Sequence, residues 1–372
     1  MTGLARLAVD IGGTFTDLVL EKGDGGFHSV KVLTTPHAPE LAVLEGTQRI
    51  LGEASVAASD VSLVIHGTTL ATNALIERKG AKTALIATEG FRDSVEIAYE
   101  HRFEQYDLYM ERPSPLVPRH LRLTVAERLA ADGSVLLPLD EAAVHTLIPV
   151  LAEEQIEAVA VGFLHSYANQ AHEKRAAEIL AAALPDVAIT LSSDVCPEIR
   201  EYERMSTACA NAYVQPLMAG YIRRLESGLQ ELGLNCPLLL MMSSGGVTTV
   251  ETAVRQPIRL VESGPAGGVI LALDVAAENG VQDALSFDMG GTTAKLTLID
   301  GLQPQYGRTF EVARAYRFLK GSGLPLRIPV IDMVEIGAGG GSIARVDEPK
   351  RINVGPDSAG SDPGPACYAA GG

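Results

Sequence analysis

Two octapeptides carry the residue types that phosphate chemistry needs. Asp10-Ile11-Gly12-Gly13-Thr14-Phe15-Thr16-Asp17 lies near the start of the chain, and Asp288-Met289-Gly290-Gly291-Thr292-Thr293-Ala294-Lys295 repeats its Asp, Gly, Gly and Thr in register. Glycine lets a backbone turn tightly and approach a ligand with no Cβ in the way. The N–H groups of Gly12, Gly13, Gly290 and Gly291, with the hydroxyls of Thr14, Thr16, Thr292 and Thr293, can donate to phosphate oxygens. A carboxylate at each strand end, Asp10 and Asp288, suits a phosphate-bound Mg²⁺ or a water. One Gly-Gly turn needs no ligand; its repetition within a chain points to duplicated architecture.

Further segments supply candidate partners. Glu262-Ser263-Gly264-Pro265-Ala266-Gly267-Gly268 opens a predicted helix, and a helix N-terminus attracts anions through its free N–H groups and dipole. Gly264, Gly267 and Gly268 are therefore candidate phosphate or nucleotide contacts, although Ser263 as N-cap and Pro265 in the first turn explain the same residues structurally. Gly339, Gly340 and Gly341 form a run suited to wrapping a ligand, with the acids Asp332 and Glu335 just upstream. Lys295 either neutralises phosphate or stands idle on a strand. His66 ends a short apolar strand before Gly67, Thr68 and Thr69, with Asn73 one turn into the next helix. A histidine there serves substrate, metal or proton transfer, or is a satisfied structural residue. Arg92 is a candidate anion contact, and the stretch from Arg200 to Arg204 a candidate latch between lobes.

The elements that must position these residues alternate. Strand signals at Val61–Ile65, Thr83–Ala87, Ala158–Leu164 and Val187–Leu191 interleave with helix signals at 39–51, 140–152 and 172–184. That alternation predicts a largely parallel α/β sheet with ligands at the carboxyl ends of strands. A Tyr-, Arg- and Pro-rich excursion spans residues 98–138, read as a lid or a subunit contact. A long helix at 203–232, bent near Pro216, is expected to bridge the lobes, with Leu238–Met242 opening the second lobe and Gln305–Val312 as third strand beside the second octapeptide. The 372 residues suffice for two cored domains. A net charge of −16 argues against nucleic acid or an anionic membrane as partner. No membrane-length apolar run or secretory leader is visible, and the four scattered cysteines predict reduced thiols, neither a disulfide framework nor a zinc site. A cytoplasmic location is the expectation.

The two octapeptides resemble the phosphate-1 and phosphate-2 loops of the actin, heat-shock-chaperone and sugar-kinase superfamily. The blocks HGTTLATNALIERKG (66–80), TEGFRD (88–93), REYERMSTACANAYVQP (200–216), SSGG (243–246), ESGPAGG (262–268), IGAGGGSIA (336–344) and SAGSDPGPACY (358–368) narrow the resemblance to the hydantoinase A/5-oxoprolinase family. It implies an α/β, actin-like ATPase fold with two ribonuclease-H-like lobes around a nucleotide cleft, residues 1–200 forming the first and 201–372 an incomplete second. The chain then reads as an N-terminal portion of such a protein. The resemblance further implies ATP and Mg²⁺, with Asp10 and Asp288 as metal and catalytic carboxylates, His66 as a third catalytic group, and Thr68, Thr69, Asn73, Arg92 and Glu335 near substrate. The implied reaction is ATP-dependent opening of a cyclic amide (hydantoin, N-methylhydantoin or 5-oxoproline). This subunit would phosphorylate the ring carbonyl oxygen, and a hydantoinase B-type subunit would complete a hetero-oligomer. The alternatives are an acetone-carboxylase-type subunit acting on a ketone, a sugar-kinase-like enzyme and a non-enzymatic nucleotide switch.

Overall fold

The computed structural model describes residues 3–13, 15–35, 37–291, 293–314, 319–360, 364–368 and 371. It begins with β1 (Gly3–Ile11) and β2 (Phe15–Gly23), joined at the first Gly-Gly turn, and β3 (Phe27–Leu33). Helix α1 (Pro39–Ala54), β4 (Val61–Thr68) and α2 (Leu70–Ile76) follow. Along β1, Ala5, Leu7, Val9 and Ile11 are buried while Ala8 and Asp10 face the other way. The two-residue period of a strand thus commits Asp10 to the face opposite the core.

Next come β5 (Thr83–Thr88), β6 (Arg122–Val125), α3 (Glu141–Glu153), β7 (Ala158–Gly162), α4 (Ala171–Ala183) and β8 (Ala188–Leu191). Asp140 caps α3, its carboxylate accepting from the Ala143 N–H at 2.9 Å. These strands form a separate parallel sheet in the order β8-β7-β5-β6. Both faces and every residue of β5 and β7 are buried, as a parallel strand requires.

Helix α5 (Glu201–Glu231) carries Pro216 inside an unbroken span. Its first half (Met205, Ala208, Cys209, Ala212) packs into the core of the parallel sheet, and its second half (Val214, Met218, Tyr221, Ile222, Leu225) into the core beneath β1 and α1. The helix expected to bridge two lobes therefore ties together two sheets. Beyond it, β9 (Leu238–Met241), expected to open the second lobe, runs parallel to β4 and completes the first sheet with β10 (Val247–Thr249), in the order β10-β9-β4-β1-β2-β3.

Helix α6 (Ser263–Glu278) leads to the second hairpin, β11 (Ala284–Met289) and β12 (Ala294–Asp300). The expected third strand over 305–312 is replaced. β12 turns at Gly301 and Leu302, both at positive φ, into the two-residue β13 (Gln303–Pro304), and its other end pairs with β14 (Val334–Ile336). Pro304 has no N–H with which to extend the ladder, so the chain leaves. Phe310–Val312 pairs instead with Leu324–Leu326. A closing ribbon is formed by β15 (Ser342–Val346) and β16 (Ile352–Ser358). One face of the second sheet is uncovered: Leu285, Phe287, Met289 and Leu298 are 52–58% exposed.

Gly46 lies mid-helix in α1, where a Cβ would collide with the buried Leu18 side chain on β2. Ala ordinarily improves a helix over Gly by about 0.5–1 kcal/mol. At this position overpacking reverses the sign, and Gly46→Ala is expected to cost about 1–3 kcal/mol, read as a lower denaturant midpoint at unchanged slope.

Candidate nucleotide and acceptor site

The two hairpins close with the same backbone hydrogen bond. The Gly12 N–H donates to the Phe15 carbonyl at 2.9 Å, and the Gly290 N–H to the Thr293 carbonyl at 3.0 Å. In the first sheet, register sets Gly67, Asp10, Asp17 and Lys31 side by side across β4, β1, β2 and β3. In the second, it sets Asp288, Lys295 and Glu335 side by side across β11, β12 and β14. Two charged rows thus descend from equivalent positions of the repeat.

Members of both rows line one cleft of about 700 Å³: Asp10, Gly12, Asp17, Gly67 and Thr69 from the first hairpin and the end of β4, Gly264, Gly267 and Gly268 from the start of α6, and Asp288, Gly290, Thr293 and Lys295 from the second hairpin. That volume is in the range of small-molecule and cofactor sites. Asp10 is wedged between two glycines: a Cβ on Gly67 would stand 2.9 Å, and one on Gly264 3.0 Å, from its Oδ1. Enclosure by these walls, then the charges of Asp17 and Asp288, raise the Asp10 carboxyl above the usual carboxylate range. A carboxylate so crowded by negative charge is a position where a cation is welcome. Among the described residues no three His, Cys, Asp or Glu side chains converge as a metal cage. Two carboxylates without a cage fit Mg²⁺, which keeps waters and takes phosphate oxygens as its other ligands.

Helix α6 delivers its N-terminus to the cleft through a specific lock. The Thr68 N–H donates to Ser263 Oγ (3.1 Å), and that hydroxyl donates to the Thr68 carbonyl (3.0 Å). Thr68 is therefore buried and holds the two lobes' elements together, while Thr69 reaches the cleft. Glu262 precedes the helix at φ +60°, its N–H donating to Thr72 Oγ1 (3.1 Å) and its carboxylate pairing with Lys295.

Other sequence candidates stand elsewhere. His66 is 1% exposed and absent from the cleft wall; its Nε2 lies 2.7 Å from the Tyr221 hydroxyl on α5. Thr16 is buried, its hydroxyl 3.0 Å from Thr34 Oγ1, which donates to the Gly12 carbonyl at 2.9 Å; it braces the turn from behind. The Gly340 and Gly341 N–H groups donate to the carbonyls of Gly290 and Gly291 at 3.0 and 2.7 Å, so the run from Gly339 backs the second hairpin and does not enter the cleft. Asn73 lies outside the cleft lining, and Arg92 sits beyond β5, its Nε 3.7 Å from Asp93. Glu335 lines a neighbouring cavity. Thr14 and Thr292 lie outside the described residues. Arg204, read as part of a latch, is fully buried and donates to the carbonyls of Phe163 (3.0 Å) and Glu198 (2.9 Å). Gly67 was not among the predicted residues; the Gly after the strand-ending His66 was its signal, legible only once β4 is known to lie beside β1.

An acid pair and two Gly-Gly turns facing one cleft are the arrangement of the actin-like fold. Residues 6–184 match the hydantoinase/oxoprolinase N-terminal region and residues 204–372 the hydantoinase/oxoprolinase domain. The chain belongs to the hydantoinase/oxoprolinase family. It is 40% identical to the caprolactamase alpha subunit of Pseudomonas jessenii over 99% of its own length and 52% of that subunit. The crystal structure of that ATP-dependent caprolactamase superimposes with a TM-score of 0.85 at 39% identity, over 99% of this chain and 53% of that one. The nucleotide-free structure of acetone carboxylase gives 0.82 at 26% identity, over 97% and 52%. Arabidopsis thaliana 5-oxoprolinase 1 is 31% identical over all of this chain and 30% of that protein. The chain thus spans about half the length of the caprolactamase subunit. Among the described residues no helix is long and apolar enough to cross a membrane.

Burial lowers the His66 pKa from 6.5 to about 4. The unfolded chain takes up this proton as pH falls below 6.5 while the folded chain does not, so stability is lost on acidification. Between about pH 7.5 and about pH 5, His66→Gln is expected to lose roughly 2 kcal/mol less stability than the parent in denaturant titrations.

Proposed function

We propose that this chain is the ATP-consuming part of a cyclic-amide hydrolase and transfers the γ-phosphoryl group to the ring carbonyl oxygen. The observation that carries the reading is the pairing of Asp10 with Asp288 across a cleft walled by the two Gly-Gly turns and the start of α6. The turns and the helix N-terminus offer N–H groups to phosphate oxygens. Asp10 and Asp288 would hold Mg²⁺, which would supply charge neutralisation for the phosphoryl group in transfer. Transfer is then chiefly a matter of position and charge. The carbonyl oxygen forms its bond to γ-phosphorus, the bond to the bridging oxygen breaks, and its electron pair leaves with ADP. An unstrained amide resists water, whereas the O-phosphorylated imidate carries a good leaving group. Hydantoin, N-methylhydantoin and 5-oxoproline are the candidate substrates, a choice supported at the level of class by the caprolactamase and 5-oxoprolinase relatives. Water attack on the imidate is assigned to a separate B-type subunit, in keeping with the subunit name of the caprolactamase relative.

A second reading, phosphorylation of a ketone enolate, draws on the structural likeness to acetone carboxylase. A panel of cyclic amides and small ketones separates the two. With Mg-ATP and the partner subunit, ADP release is expected to rise with an amide and not with acetone, and to fall about a hundredfold in Asp288→Asn. Slow turnover indifferent to every compound would sink the proposal. Gly67→Ala, which pushes Asp10 aside, is expected to weaken Mg-ATP binding about tenfold or more in calorimetry while leaving thermal stability near the parent's.

A further inference from the structure

A smaller cavity of about 50 Å³ adjoins the phosphate cleft, and Lys295 belongs to the walls of both. Its described charged lining sets Glu262, Glu311, Asp332 and Glu335 against Lys295 and Arg314. Glu262 pairs with Lys295, and Glu311 Oε2 lies 3.0 Å from Arg314 Nε. Among the described lining residues the cations are thereby balanced, and Asp332 and Glu335 remain in excess. Phe310, Ile331 and Met333 give the rest of the wall an apolar character.

Resting on the phosphorylation reading above, we propose that this cavity is the inner end of the acceptor subsite, receiving the N–H edge of a ring that lies in the adjoining cleft, and that its charge selects an uncharged cyclic amide over one bearing a carboxylate. An acceptor must lie against the γ-phosphate, so it must enter through a space that shares a wall with the phosphate cradle. Lys295 marks that shared wall. An amide placed there points its carbonyl oxygen towards Lys295 and the phosphate, and its N–H towards a carboxylate. Glu335 stands beside Lys295 on the adjacent strand, the register that offers such an acceptor. As the oxygen is phosphorylated, the N–H proton passes to Glu335 and the carbon–nitrogen bond becomes the imidate double bond, which balances the step. A substrate carboxylate would bring a further negative charge against Asp332 and Glu335 with no described cation left to receive it. At separations of roughly 6 Å and an effective dielectric of about 20, that repulsion is worth at least about tenfold in affinity. The consequence is a ranking: ε-caprolactam and hydantoin bind well, 5-oxoproline poorly.

Titration calorimetry on the full chain, saturated with Mg²⁺ and a non-hydrolysable ATP analogue, tests this directly. The neutral amides are expected to bind at least about tenfold more tightly than 5-oxoproline. In Asp332→Asn/Glu335→Gln the gap should shrink about tenfold through tighter 5-oxoproline binding, with analogue affinity unchanged. Equal or tighter binding of 5-oxoproline by the parent, binding of none of the three, or an unaltered ranking in the double variant overturns the proposal. Should the double variant fail to bind the analogue, the parent's ranking and the single variant Asp332→Asn decide. The two readings fail separately: amide-stimulated ADP release with 5-oxoproline preferred removes only the subsite, whereas no stimulation by any amide removes the phosphorylation reading as well.

Discussion

Asp10 stands where it does because two neighbouring backbones carry no Cβ. Its carboxylate fills the gap between Gly67 at the end of β4 and Gly264 at the start of α6, so three chain segments distant in sequence converge on one side chain. Much of the surrounding architecture serves that convergence. The parallel pairing of β1 with β4 brings Gly67 level with Asp10. The reciprocal hydrogen bonds between Ser263 and Thr68 fix the helix start against the same strand end. The burial of Asp10 and its crowding by other carboxylates both disfavour its charge, a cost that a bound cation would offset.

The two hairpins were readable because their chemistry is local. Gly-Gly turns flanked by apolar runs specify strand, turn and strand within a few residues, and both turns have the same hydrogen bond. The capped helix after Asp140 and the buried strands of the parallel sheet were equally legible. What the sequence concealed is long-range. Nothing near residue 238 says that its strand will pair with β4, and nothing near residue 334 says that it will displace 305–312 from β12.

Residue type misled where burial, not chemistry, decides the role. His66 ends a strand at the edge where ligands gather, yet its side chain turns into the core against Tyr221. Thr16 and the run from Gly339 to Gly341 support the turns from behind, a role that glycine and threonine content alone does not distinguish from ligand contact. Arg204 reads as part of a latch between lobes by composition but is a buried hub at the carboxyl edge of the parallel sheet, where Glu173 accepts from the N–H groups of Phe163 and Ser193, both at 2.9 Å. That edge is filled by the protein's own side chains.

The two sides of the cleft are unequally anchored. The first hairpin belongs to a six-stranded sheet over an extensive core, whereas the second rests on a cluster whose fully buried members are Ala266, Val269, Ile299 and Ile331. Local opening free energy follows such differences in buried contact. Amide protons of β11 and β12 would therefore exchange with solvent through excursions that leave β1 and β2 closed. A nucleotide bridging both hairpins would draw most of its ordering from the weaker side, so its binding is written chiefly in the slowed exchange of residues 284–300.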